Sequence, residues 1–163
     1  MSVVRRPARD SVWIAVAPGA VAVLGLAVDL VALAVAFVGL AVVWAATDRS
    51  SRLGVTAGSG AMFAALCYAG IRGASPALLL VVTAGTVVTW TTAQHVVGLA
   101  DHLGRDAPVR RSVLVHASGA SITTLLAGAL TLGVYRSVTA SFPPSVLVFL
   151  LVGSALLLYA LEP

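Results

Sequence analysis

The sequence predicts an all-α fold: a polytopic transmembrane helical bundle of six spans, forming a single domain, with both termini cytoplasmic. Three observations carry that prediction. Only 10% of the residues are charged and 60% are hydrophobic, whereas an ordinary soluble domain is about 25% charged. The apolar runs are continuous over roughly 17–24 residues, the length of a bilayer-crossing helix. They do not alternate in polarity as barrel strands of about 10 residues would, and only helices and closed barrels satisfy every backbone N–H and C=O in lipid. Finally, eight of the ten arginines fall on one side of the resulting topology, as the positive-inside rule requires.

Each span follows in order. Residues 1–10 are polar and include Arg5, Arg6 and Arg9. A secretory signal would begin in this way, but the apolar run that follows continues to Ala46, well past an h-region of about 7–15 residues. No apolar pair follows Arg5-Arg6, as a twin-arginine signal would need, so an uncleaved first span is expected. Residues 12–46 are broken only by Asp29. One helix of that length would extend about 52 Å, against a hydrocarbon core of about 30 Å. Two spans, 12–28 and 30–46, turning at Asp29, fit better. They also keep Arg5, Arg6 and Arg9 on the same side as Arg49 and Arg52.

The third span is 53–71. Gly73, Ser75 and Pro76 mark the next turn, with Pro76 suited to a helix start. The fourth span, 76–96, leads into a cytoplasmic connector, 97–111, broken at Pro108. The fifth span is 112–135. Ser137, Pro143 and Pro144 form a loop, and the sixth span, 144–161, ends at Glu162. This arrangement leaves only Arg72 and Arg136 outside. It places Trp13, Trp44 and Trp90 near cytoplasmic interfaces, and Tyr68 and Tyr135 near external ones.

In lipid, helices associate through close backbone approach at small residues. The third span carries Ala57, Ala61, Ala65 and Ala69 at four-residue spacing, with Gly54 and Gly58 on a neighbouring stripe. The fifth carries Ala120, Thr124 and Gly128 beside Gly119, Thr123, Ala127 and Thr131. Both spans are therefore expected in the bundle interior. Leu79, Leu80, Phe149, Leu150 and Leu151 are expected to face lipid.

All basic residues are Arg, with no Lys and no Asn, and the acids are five Asp and one Glu. This bias suggests a high-GC genome, and the preference for Asp with abundant Thr and Val suggests a halophile. The isoelectric point near 10.2 does not imply nucleic-acid binding, because the arginines act as topology signals and form no basic stripe. Cys67 is the only cysteine; it reads as a small buried hydrophobe and permits neither a disulfide framework nor a Cys-rich metal site.

One polar island interrupts the apolar sequence. Residues 94–116 contain all three histidines, His95, His102 and His116, the only glutamine, Gln94, and Asp101, Asp106, Arg105, Arg110 and Arg111. If the fourth helix continues, Trp90, Gln94, Asp101 and Arg105 share one face, and Thr91, His95, Leu99 and His102 another. Asp101 and Arg105 then form an i,i+4 pair, worth roughly 0.3–0.5 kcal/mol when exposed. The plainer reading is a solvated amphipathic helix at the cytoplasmic interface. A metal site is the sharper one, but His95 and His102 lie about 10 Å apart along a helix. No adjacent-turn His pair of the HExxH kind exists, and recruiting His116 or Asp101 requires a fold-back. No metal or cofactor is expected. His116 lies one turn into the fifth span. It is either an interfacial side chain reaching the headgroups or a proton or ligand contact near Gln94 or His95.

Catalytic motifs are lacking. Ser59 in Ala57-Gly58-Ser59-Gly60 and Ser118 in His116-Ala117-Ser118-Gly119 both miss the GxSG of six-span rhomboid proteases, and no phosphate-binding or dinucleotide loop occurs. For transport, no acid or arginine falls at mid-membrane. The threonines at 83, 86, 89, 91, 92, 123, 124 and 131 could line a path, although such hydroxyls more often bond to their own helix. The halves show no transporter-like repeat.

The stretch from Gln94 through Asp106, followed by Arg110-Arg111-Ser112-Val113-Leu114-Val115-His116-Ala117, resembles an uncharacterised family of small haloarchaeal membrane proteins. There a VGLGEQLGR-like run precedes an RR-x-x-LVHA-like run. Ala100 and Asp101-His102 replace the Gly and Glu-Gln of that pattern. The resemblance implies an accessory to systems with MoxR-type AAA+ ATPases and von Willebrand A-like proteins, and supplies no activity or catalytic residue. The expected protein is thus a multi-pass cell-membrane accessory or scaffold, not an enzyme. It meets the lipid bilayer and docks a cytoplasmic protein partner, not nucleic acid, through residues 94–111. The alternative is a small transporter or channel using the Thr-rich faces and His116. The oligomeric state is left open.

Overall fold

The computed structural model describes residues 7–103 and 109–137. Among them every regular element is a helix: α1 (Arg9–Gly25), a 3-10 turn (Leu26–Val28), α2 (Leu30–Asp48), α3 (Arg52–Ile71), α4 (Pro76–Leu103) and α5 (Arg110–Ser137). Five helical segments are long and apolar enough to cross a membrane. The expected sixth span, 144–161, lies outside the described residues, as do Arg5, Arg6, Phe149, Leu150 and Leu151. The chain divides into two compact units, Met1–Leu132 and Gly133–Pro163, and the second is described only in the last residues of α5.

The long apolar run does break at Asp29. Its backbone is extended there (φ −133°, ψ 117°), and its carboxylate accepts from the N–H groups of Val31 at 2.9 Å and Ala32 at 3.0 Å. An acceptor placed there satisfies two of the orphan donors that begin any helix, so one acid both ends the first helix and starts the second. Arg72, at the end of α3, places its Nε 3.6 Å from the same carboxylate. The amide of Ala32, then that of Val31, then the Arg72 guanidinium hold the Asp29 carboxyl below its ordinary range, against an opposing desolvation. Ser51 caps α3 by accepting from the Gly54 N–H at 3.2 Å, and Ser75 opens α4 by accepting from the Leu78 N–H at 3.3 Å. Gly73 takes the left-handed backbone (φ 87°) that reverses the chain between α3 and α4.

The first four helices form a closed group: α2 packs on α3, α1 on α4, α3 on α4 and α1 on α2. Val43, Val55, Met62, Val82, Val96 and Val97 are almost fully enclosed at its centre. Small residues set the two closest crossings. Between α2 and α3, a Cβ added at Gly58 would lie 2.7 Å from the Gly39 carbonyl oxygen, and one added at Gly39 would lie 2.7 Å from that of Gly58. Between α1 and α4, a Cβ at Gly85 would lie 2.8 Å from the Pro18 oxygen.

These contacts correct the expected α3 interface. Gly54 and Gly58 do meet α2, at Ala46 and at Gly39 and Val43. The alanine stripe, however, is only half inside: Ala65 and Ala69 are buried, whereas Ala57 is exposed. A four-residue repeat outruns the helical period of 3.6, so the stripe drifts around the helix. The face that stays inward is Val55, Gly58, Met62, Ala65 and Ala69. Leu79 is also not purely lipid-facing, since it packs against the core beside Gly70.

The expected interior position of the fifth span is not what the described residues display. Only Val113 of α5 is buried; Ala120, Thr124 and Gly128 are half-covered, and Gly119, Thr123, Ala127 and Thr131 are exposed. An apolar groove of about 220 Å³ separates Leu80, Val81 and Ala84 of α4 from Leu125, Gly128 and Ala129 of α5.

Candidate functional site

The polar island and the start of α3 meet at one end of the first unit. Helix α4 does not stop at residue 96 but continues to Leu103, so its polar last turns stand over the N-terminus of α3. The Gln94 Nε2 donates to the Arg52 carbonyl oxygen at 3.2 Å and to the Thr56 Oγ1 at 3.0 Å. Thr56 in turn donates to the same Arg52 carbonyl at 3.1 Å. The Arg52 guanidinium reaches Asp101, Nη2 to Oδ2 3.6 Å. It lies across Gly98, where a Cβ would stand 3.2 Å from Nη2. Both charged groups are substantially exposed, so the pair contributes about 0–1 kcal/mol; its value is in fixing which helices meet.

Across α4, the histidines come together. The fold-back between α4 and α5 stacks His95 on His116, with ring centroids 4.3 Å apart and planes inclined by 12°. The His95 Nε2 also lies 3.3 Å from the Ser112 Oγ. The donor in that contact depends on the imidazole tautomer. The His116 Nε2 is enclosed and has no hydrogen-bond partner among the described residues. Imidazole lone pairs lie in the ring plane, so near-parallel rings aim their nitrogens side by side instead of converging on one ion. Among the described residues, no three His, Cys, Asp or Glu side chains gather as metal ligands.

Beside the stack lies an open recess of about 510 Å³ lined by His95, Arg111, Ser112, Val115 and His116. Arg110 and Arg111 are exposed in the first turn of α5, which contains no acidic residue. His102 is exposed at the end of α4. Arg105 and Asp106 lie outside the described residues, and so does the expected pairing of Asp101 with Arg105.

Of the eight candidate site residues, Arg105 lies outside the described residues and the other seven divide. Gln94 and Asp101 tie α4 to α3, His95 and His116 tie α4 to α5, and His102, Arg110 and Arg111 remain on the surface. Sequence reading missed the partners. Arg52 was assigned to topology alone, and Thr56 gave no signal, because their roles exist only once α3 and α4 are paired. Ser112 did carry a signal: it precedes His116 by four residues and so shares its helix face.

Most threonines bond within their own helix, as expected. Thr83, Thr86, Thr91, Thr124 and Thr131 donate to carbonyls four residues back at 2.7–3.0 Å. Thr89 and Thr92 do not: both are fully buried with unpartnered hydroxyls, as are Ser11 and Ser59.

No curated protein and no solved structure matches the chain. Residues 5–158 match the family of unknown function DUF7519, a match over nearly the whole length, and the chain belongs to that family.

Proposed function

We propose that the protein is a six-span integral membrane protein of the cell membrane, with both termini and the polar α4–α5 end in the cytoplasm. It serves as a non-catalytic accessory that docks a soluble protein partner there. The observation that carries this reading is the segregation of charge. Arg9, Asp48, Arg49, Arg52, Asp101, Arg110 and Arg111 are gathered at one end of the first four helices and the start of α5, while Asp29 and Arg72 stand at the other. Arginine on one side and long apolar helices between are what the positive-inside rule describes. At that end the internal groups are spent on helix pairing, and His102, Arg110 and Arg111 are exposed, with no ion-pair partner among the described residues.

The haloarchaeal resemblance supports a partner from a MoxR-type AAA+ ATPase system. The test is chemical cross-linking in the native membrane at native salt, followed by purification. A partner protein should be recovered with the wild-type chain and lost when Arg105, Arg110 and Arg111 are replaced by Ala. Equal recovery from that variant would overturn the docking surface.

The second reading, a small transporter, is favoured by the buried unpartnered hydroxyls of Ser59, Thr89 and Thr92. It requires that Thr92→Val or His116→Ala change solute or proton flux in proteoliposomes. Unchanged flux in both variants would remove it.

A further inference from the structure

Helices α1 and α2 leave a seam between them that is charged at one end and apolar along the rest. At the arginine-rich end, a recess of about 280 Å³ is lined by Arg9, Val12, Trp13, Trp44 and Asp48. Farther along the same two helices lies a second of about 290 Å³, lined by Val16, Phe37, Leu40 and Ala41 and by the same two indoles. Helical spacing accounts for the alignment. Positions 9, 12, 13 and 16 share one face of α1, and 37, 40, 41, 44 and 48 one face of α2. From Phe37 to Asp48 the seam is about 16 Å long, roughly half of a 30 Å hydrocarbon core and so the depth of one leaflet. An apolar face alone calls for no particular partner in lipid, because any acyl chain covers it. The charged end is a second, separate feature. Arg9 and Asp48 line one recess yet do not pair with each other. Trp13 and Trp44, 63% and 45% exposed, stand between these charges and the apolar half.

We propose that this seam binds one phospholipid molecule. The Arg9 guanidinium takes the phosphate through charge-assisted hydrogen bonds. Asp48 accepts from the donor that the headgroup carries beyond its phosphate, an ammonium or a hydroxyl. Trp13 and Trp44 flank the glycerol region, where an indole offers an apolar body and an N–H to the wet side. One acyl chain lies along Val16, Phe37, Leu40 and Ala41. The order of these groups along the helices, charge, then indole, then hydrocarbon, is the order of groups along a phospholipid. The binding rests on the membrane reading proposed above but not on its orientation, since either leaflet supplies such a lipid.

The test uses the full chain, purified and delipidated in detergent. Native mass spectrometry measures retention of phosphatidylethanolamine and phosphatidylglycerol, whose headgroups carry a donor, against phosphatidylcholine, whose headgroup does not. The expected result is one donor-bearing lipid retained per chain in preference to phosphatidylcholine, and the better retained of the two identifies the donor. Arg9→Ala should weaken retention of all three roughly tenfold. Asp48→Ala should erase the preference over phosphatidylcholine. Ala41→Trp, which fills the apolar half and leaves the charges in place, should weaken retention of every lipid. Arg49→Ala removes an exposed arginine outside the seam and should bind as wild type. None of the four substituted residues is buried, and helical circular dichroism checks that each variant folds. Equal retention of the three lipids by the wild-type chain overturns the proposal, as does unchanged retention in Arg9→Ala or in Ala41→Trp. So does an Arg49→Ala loss equal to that of Arg9→Ala, which would reduce the effect to general charge attraction. A reversed membrane topology would leave retention in detergent intact, so the two failures are distinguishable.

Discussion

The Gly39–Gly58 crossing makes a prediction whose sign is not obvious in advance. Replacing a helical glycine by alanine ordinarily stabilises by about 0.5–1 kcal/mol, through reduced backbone freedom in the unfolded chain. At Gly58 the added methyl would stand 2.7 Å from the Gly39 oxygen and 2.8 Å from both the nitrogen and the Cγ2 of Val43. Ordinary contact begins at 3.4 Å, so α2 and α3 must separate by about 0.7 Å. Two of the three obstructing atoms are backbone and cannot rotate away. Overpacking of this kind costs about 1–3 kcal/mol, which set against the propensity gain leaves a net loss of about 0–2.5 kcal/mol, centred near 1. Gly60 is the internal control, because a Cβ there meets nothing within 4 Å. Reversible unfolding in mixed micelles by sodium dodecyl sulfate titration measures both variants. Gly58→Ala should unfold at lower detergent fraction than wild type, and Gly60→Ala at the same or higher. A Gly58→Ala protein as stable as wild type would refute the close crossing, and with it the claim that small residues set this interface.

Three further outcomes follow from the same structure. Ala65→Leu should destabilise by about 1–3 kcal/mol because the site is enclosed, whereas Ala57→Leu on the exposed side of the same stripe should stay within about 0.5 kcal/mol; the same titration reads both. Asp29→Asn should lower the melting temperature above pH 5 and flatten its acid dependence. The Asp29 carboxyl is depressed in the fold, so its contribution is complete above the ordinary carboxylate value and is lost as pH falls below that value through the depressed folded one; a wild-type melting temperature that does not fall on such acidification would contradict the cap. Gln94→Ala removes the donor shared by the Arg52 carbonyl and Thr56 and should cost about 0.6–1.7 kcal/mol, the range for interhelical hydrogen bonds in membranes.

How much was legible in the sequence differs between elements. The hairpin at Asp29 was legible because length and charge agree: one helix would overrun the bilayer, and the flanking arginines demand an even number of crossings. The α2–α3 contact at Gly54 and Gly58 was legible as a small-residue motif. The alanine stripe misled because a repeat of four is not the helical period, and only the neighbouring valine and methionine define the true inward face. The position of α5 was not legible at all, since small-residue stripes describe what a helix permits and not which neighbour takes it up. In the polar island, spacing correctly separated His95 from His102. It left the meeting of His95 and His116 as one of two alternatives, because that contact depends on the fold-back between α4 and α5. Likewise Asp101 has an arginine four residues on, yet its described partner is Arg52, forty-nine positions earlier in the chain.

The central claim is that the chain crosses the membrane repeatedly with the arginine-rich end inside. Single-cysteine labelling in intact cells tests it most directly. With Cys67 replaced by Ser, cysteines are placed singly at Arg49, Arg72 and Arg111, all exposed positions, and treated with a membrane-impermeant maleimide before and after lysis. The cysteine replacing Arg72 should label in intact cells, and those replacing Arg49 and Arg111 only after lysis. Labelling of the Arg49 and Arg72 positions from the same side would contradict this topology.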